Sequence, residues 1–262
     1  METTFRQPDV ADVFERLLVP SVFDRYARDL VERARPFGPS DRVLDLGCGT
    51  GIVARVLRER LGGGASIAGL DLSPAMIAKA RAIAPDIEWH EGNAVALPVA
   101  DGAFDVVLSQ QMLQFTRDRA AAVREIRRVL APGGRLVAST WRPRQHQPLY
   151  DALGALSERH LGPSHDLRWS LDGDELSALL VEAGFTGVKI ETVSLTERYR
   201  EFPARMSAMA ANHDLSALGE EERARRWEAF DAESGAVLAG FAADGGIASP
   251  SIANVAVARR AP

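Results

Sequence analysis

The sequence predicts an α/β fold, a three-layer sandwich built on a mostly parallel seven-stranded sheet. Two observations carry this. From residue 42 onward short apolar runs alternate with amphipathic helical stretches, the pattern of βαβ units. At 262 residues the chain is also long enough to bury the core of one such domain together with helical insertions.

The elements follow in order. Residues 10–36 place Val13, Phe14, Leu17, Leu18, Phe23, Tyr26, Ala27 and Leu30 at helical spacing, which reads as two short helices broken at Pro20-Ser21. Val43–Leu46 is the first strand, followed by glycines and a helix from about Ile52 to Leu61. Ile67–Leu70 is the second strand and ends at Asp71, after which Ser73 caps the next helix and Pro74 suits its first turn. Ile87–His90 and Phe104–Leu108 are the third and fourth strands. A helix from Arg119 to Leu130 stops at Pro132-Gly133-Gly134, and Arg135–Thr140 is the fifth strand. Beyond it the rhythm breaks. Residues 142–184 and 200–246 read mainly as helices, Val188–Leu195 alternates as a strand, and Ile252–Ala258 forms the last one. The chain is therefore expected to be a single domain, with residues 36–141 as its ligand-binding core.

Composition narrows the function. A net charge of −5 leaves no basic field for a phosphate backbone, so no nucleic-acid partner is expected. No stretch approaches the ~20 apolar residues that span a bilayer, and the N-terminus lacks the basic start and apolar segment of a signal peptide. With Cys48 as the single cysteine, no internal disulfide can form, and a cytoplasmic setting is expected. No metal site is expected.

The most specific feature is Val43-Leu-Asp-Leu-Gly-Cys-Gly-Thr-Gly51. A strand running into Gly47, Gly49 and Gly51, with Cys48 between them, lets backbone approach a ligand closely. The spacing is G-x-G-x-G. A dinucleotide fingerprint needs G-x-G-x-x-G, and its last glycine would fall on Ile52, which argues against a dehydrogenase. Asp45, two residues ahead of the turn, gains a pyrophosphate nothing. It suits a cofactor with a sulfonium and an amino-acid end, whose ammonium it can hold directly or through water. Asp71, 26 residues later at the end of the second strand, can accept from both ribose hydroxyls of an adenosine. Leu72 and Met76 beside it are placed to pack on an adenine, a thioether packing well on aromatic rings. After the third strand, the Asn93 side chain can accept from the exocyclic amine while the Ala94 N–H donates to the ring.

Together the segments VLDLGCGTG, GLDLSPAMIAKAR, GNAVALPVADGAFDVVLSQQMLQF and EIRRVLAPGGRLVASTW resemble the class I S-adenosylmethionine-dependent methyltransferases, in particular the small-molecule branch labelled methyltransferase type 11. The resemblance covers about Asp41 to Trp141. It implies a Rossmann-like fold, S-adenosylmethionine as cofactor and a small-molecule acceptor. It also implies cofactor contacts from Gly47, Asp71 and the Asn93-Ala94 pair, with Gln110 and Gln111 at the methionine or methyl end. Asn93 stands where the family usually carries Asp, so a charged contact to adenine becomes a neutral one.

Among the histidines, His146 follows the fifth strand and is the candidate general base. His160, His165 and His213 lie in the inserts, and His90 on a strand reads as structural. The inserts at 142–184 and 200–246 are expected to cap the substrate, with Phe202, Met206, Met209, Trp227, Phe230 and Phe241 favouring an apolar or aromatic acceptor. Two rivals stand beside this reading. One is a protein that keeps the fold and cofactor but serves as a scaffold or catalyses a non-methylating reaction. The other is a nucleic-acid methyltransferase, which lacks both the basic surface and an Asn-Pro-Pro-aromatic stretch, Ser109-Gln110-Gln111-Met112 standing there instead.

Overall fold

Five parallel strands and the helices between them are laid down in the order of the sequence pattern in the computed structural model, which describes residues 8–164, 171–204, 208 and 213–262. His165, Met206 and Met209 lie outside the described residues. The described chain divides into two compact units, one of Met1–Trp141, Leu171–Val193 and Ala253–Pro262, the other of Arg142–Ser170 and Ser194–Ile252.

The first unit opens with α1 (Pro8–Val13), a π-helical stretch (Phe14–Phe23) and α2 (Asp24–Arg33). The break expected at Pro20-Ser21 does not occur. Asp24 N–H donates to Val19 O five residues back, and this wider turn takes a proline without ending the helix. There follow β1 (Arg42–Leu46), α3 (Ile52–Leu61), β2 (Ser66–Asp71), α4 (Pro74–Ile83), β3 (Glu88–Glu91), β4 (Phe104–Gln110), α5 (Arg119–Val129) and β5 (Leu130–Trp141). Ser73 caps α4 by accepting the Met76 N–H, with Pro74 in the first turn, as its sequence predicts. Asp118 caps α5 through the Ala121 N–H.

The sheet runs β3-β2-β1-β4-β5 with parallel neighbours. It continues through β8 (Gly246–Arg260), antiparallel to β5, to β6 (Phe185–Tyr199). The strand order reverses between the parallel neighbours β1 and β4, the switch point beyond whose carboxyl ends such sheets bind ligands. Period-two alternation explains the layers. Val43, Val106 and Leu108 pack with Leu30, Leu57 and Ile77 of α2, α3 and α4 on one face. Leu44, Leu46 and Val107 pack with Ile126 of α5 and with Leu176 and Leu180 of α7 (Gly173–Glu182) on the other.

The sheet has eight strands among the described residues, not seven. The addition is β7 (Ala242–Ala243), which pairs with Ile247 and Gly246 of β8 across a two-residue Asp244-Gly245 turn. Both turn residues have positive φ, 49° and 76°, the conformation that Asp-Gly favours in a tight hairpin. Helical periodicity upstream masked this signal. The second unit holds α6 (Pro148–Leu161) packed on α8 (Glu220–Ala239). The stretch 142–184 is thus divided, α6 falling in the second unit and α7 in the first.

Candidate functional site

The turn after β1 is tied to the end of β2, since Gly47 and Cys48 N–H groups both donate to Leu70 O, at 2.7 and 3.0 Å. Gly47 and Gly51 have φ of 71° and 88°, where a side chain is strained. A Cβ on Gly47 would lie 2.2 Å from Met112 Cγ, and one on Gly51 2.3 Å from Trp89 Cη2. A Cβ on Gly49 would meet the Phe14 ring at 3.7 Å, an ordinary contact. The turn is therefore tightly walled at its ends and less so at its half-buried middle. Glu15 reaches it from the N-terminal helix, accepting from Thr50 Oγ1 at 2.6 Å and pairing with Arg55 at 2.9 Å.

Two carboxylates flank the turn. Asp45 is wholly buried, and its Oδ2 accepts the Ala54 N–H at 3.0 Å, pinning the first turn of α3. Its Oδ1 has no partner among the described residues. Burial, opposed by that hydrogen bond and reinforced by the charge of Asp71, pushes the carboxyl up to about 7. Asp71 accepts the Gly49 N–H at 2.9 Å through Oδ2 and the Ser73 N–H at 2.8 Å through Oδ1. Burial raises its pKa as well, while these donors pull it down. Cys48 is buried and its thiol is pushed up, mainly by burial.

Beyond β2, Leu72 is exposed and offers an apolar face, whereas Met76 is buried. Asn93 is exposed; its Oδ1 accepts the Val95 N–H at 3.2 Å, a local turn that fixes the side chain and leaves its amide N–H groups outward. Ala94 is half-buried.

At the end of β4 the structure gathers three buried glutamines. Gln110 Nε2 donates to Phe23 O at 2.9 Å, tying β4 to the N-terminal helix and leaving Oε1 without a partner among the described residues. Neither side-chain atom of Gln111 has one. Gln114, which sequence reasoning missed, accepts from Trp141 N with Oε1 and leaves Nε2 without one. Trp141 in turn packs edge-on against Tyr26, ring centroids 5.0 Å apart. Met112 and Glu15 were missed too. Gln114 had a weak signal, one helical turn beyond Gln111; Glu15 had none, because its partner lies 35 residues away.

His146 lies in the second unit, in a short 3₁₀ turn, with Nε2 3.2 Å from Arg142 Nη2. A guanidinium has only donors, so it takes the lone pair a general base would use. His213 bonds Gly162 O and Ser157 Oγ, while His160 and His90 face Glu233 and Glu88. That unit also holds a buried Glu197 that sequence reasoning missed. The Tyr199 hydroxyl lies 3.0 Å from its Oε2 and the Tyr150 hydroxyl 3.4 Å from it. Among the described residues no cluster of metal-ligating side chains occurs, and no helix is long and apolar enough to cross a membrane.

Comparison with known proteins gives consistent results. The family model of a methyltransferase domain matches residues 44–138. A demethylmenaquinone methyltransferase of Thermus thermophilus is 34% identical over 194 residues, which cover 67% of this chain and 87% of that protein. A malonyl-[acyl-carrier protein] O-methyltransferase of Halorhodospira halophila is 33% identical over 210 residues, covering 78% and 67%. Among solved structures, phosphoethanolamine N-methyltransferase 2 of Haemonchus contortus in complex with S-adenosyl-L-methionine superposes with a TM-score of 0.57 at 17% identity, covering 91% of this chain and 53% of that one.

Proposed function

The chain belongs to the class I S-adenosylmethionine-dependent methyltransferases, with S-adenosylmethionine as its cofactor, and we propose that it methylates a small molecule presented at the carboxyl ends of β1 and β4. The observation that carries this reading is the glycine turn between Asp45 and Asp71, with unsatisfied buried amides beside it. These residues fit the cofactor. Asp45 Oδ1 is a buried acceptor free for an ammonium, and Gln110 Oε1 can meet an amino-acid end. Asp71 lies where a ribose would, Leu72 and Ala94 supply apolar surface for adenine, and Asn93 its polar edge.

When bound, the cofactor would supply an activated methyl group to an acceptor's lone pair. The chain then has to orient the acceptor and exclude water. Positioning of this kind is worth up to about 7–11 kcal/mol in well-aligned reactions. The buried ends of β4 and β5, from Ser109 to Gln111 and from Ser139 to Thr140, supply the dry surroundings.

A small acceptor agrees with the net charge of −5 and with the relatives, one named for a demethylmenaquinone and one for a malonyl group on a carrier protein. Incubation with methyl-labelled cofactor and a panel of quinols, phenols, carboxylates, amines and short RNA tests it. Label in a small acceptor supports the reading, and label in RNA alone overturns it.

A further inference from the structure

We propose that Gln111 and Gln114 form a clamp of two neutral amides that grips an oxygen of the methyl acceptor, selecting a phenolate, enolate or carboxylate over an amine. The proposal rests on the methyltransferase reading above.

Gln111 is 3% exposed and adopts φ +45°, a left-handed backbone that a non-glycine residue holds only when its surroundings impose it. Its whole amide is without a partner among the described residues. Strain and unmet polarity thus coincide on one side chain at the end of β4, the combination expected of a residue shaped for a ligand. Gln114 is fully buried, and the bond from Trp141 N to its Oε1 fixes the amide so that Nε2 is a directed donor with nothing to meet.

Both hang from one strand. Gln111 N donates to Ser139 O, and Gln114 binds Trp141 two residues further along β5, a rise of ~7 Å that two side-chain amides can close around one small group. Gln110 is not a member, because its Nε2 is taken by Phe23 O. Nearby Arg119 pairs with Glu175 at 2.6 Å and bonds the main-chain oxygen of Gln114. Gln114, whose Oε1 is already taken, therefore presents only an uncharged N–H donor, which matches an oxygen lone pair and meets an ammonium donor to donor; Gln111 can turn its own amide N–H to the same oxygen. The clamp holds a phenolate or enolate oxygen equally whether the methyl goes to that oxygen or to a carbon conjugated with it.

The test uses the full chain loaded with S-adenosylhomocysteine and 4-nitrophenol as probe, followed by the absorbance of its phenolate. Bound 4-nitrophenol should titrate at least one pH unit below the free compound. Gln114→Leu and Gln114→Glu should each weaken phenolate binding tenfold or more, with S-adenosylhomocysteine affinity kept within twofold as the sign of an intact fold. 4-Nitroaniline should bind wild type and both variants alike. An unshifted titration, or phenolate affinity equal in wild type and variants, overturns the clamp while leaving the cofactor reading intact. Failure of the wild type to bind S-adenosylhomocysteine overturns that reading and the clamp with it.

Discussion

The Asp71 carboxylate accepts the Gly49 backbone N–H at 2.9 Å, so the residue proposed to hold a ribose also fixes the glycine turn. Its other oxygen holds Ser73 N at the start of α4. Asp71→Ala is expected to weaken S-adenosylhomocysteine binding by roughly 1.5–3 kcal/mol, the range for hydrogen bonds to a charged group. Calorimetry on wild type and variant measures this. Unchanged affinity in a folded variant would remove Asp71 from the cofactor site.

The glycine turn makes a steric prediction. Gly51→Ala places a methyl against the tip of the Trp89 ring and strains the backbone; Gly47→Ala strains it too and lies 2.5 Å from Met112 Cβ, which is held by its own backbone and cannot swing away. Left-handed strain costs about 1–2 kcal/mol and overpacking a further 1–3. Urea unfolding should therefore show both variants destabilised by about 2 kcal/mol or more. A variant as stable as wild type would show that the turn relaxes around the added methyl.

Asp45 should couple cofactor binding to pH. Its folded pKa, pushed up to about 7, lies above the ordinary carboxylate value, so the folded state keeps a proton that the unfolded chain has lost. Its contribution to stability is complete below the unfolded pKa and lost as pH rises through about 7. An ammonium docked at Oδ1 favours the ionised form. S-adenosylhomocysteine should then bind with proton release near pH 6.5, and more tightly as pH rises to about 7. Calorimetry in buffers of different ionisation heat reads the released proton directly. Asp45→Asn should abolish the release, and its persistence there would assign it to another group.

In the second unit Glu197 follows the same sign. Burial pushes it up to about 7, against donation from Tyr199 and Tyr150. That unit should lose stability between pH ~4.5 and ~7, by up to about 3 kcal/mol for a shift of this size. Glu197→Gln should flatten the pH dependence of the unfolding midpoint and make the chain more stable than wild type at pH 8. Parallel curves for the two proteins would show that Glu197 does not carry the effect.

What the sequence made legible follows from range. The βαβ order, the Ser73 cap and the glycine turn are local, written in spacing and turn chemistry within a few residues. Pro20 misled because a π-turn removes the clash that ends an α-helix, and Asp244-Gly245 was hidden by the helical pattern before it. The site divided the same way. Asp45, Asp71 and Gly47 stand in motifs, yet the Ala54 and Gly49 N–H groups that hold the two carboxylates come from elsewhere in the fold. Gln114 and Glu15 owe their roles to partners distant in sequence, which no periodicity records, and Glu197 gains its second tyrosine, Tyr150, from 47 residues away.

Methyl transfer to a small acceptor at this glycine turn is read by following the label of methyl-tritiated S-adenosylmethionine into quinols, phenols and carboxylates, with wild type and Asp71→Ala side by side. Label is expected in at least one oxygen-bearing small molecule, with turnover at subsaturating cofactor reduced about tenfold or more in the variant, as a loss of roughly 1.5–3 kcal/mol requires. Tight cofactor binding with no label in any of these acceptors would overturn methyl transfer to a small molecule.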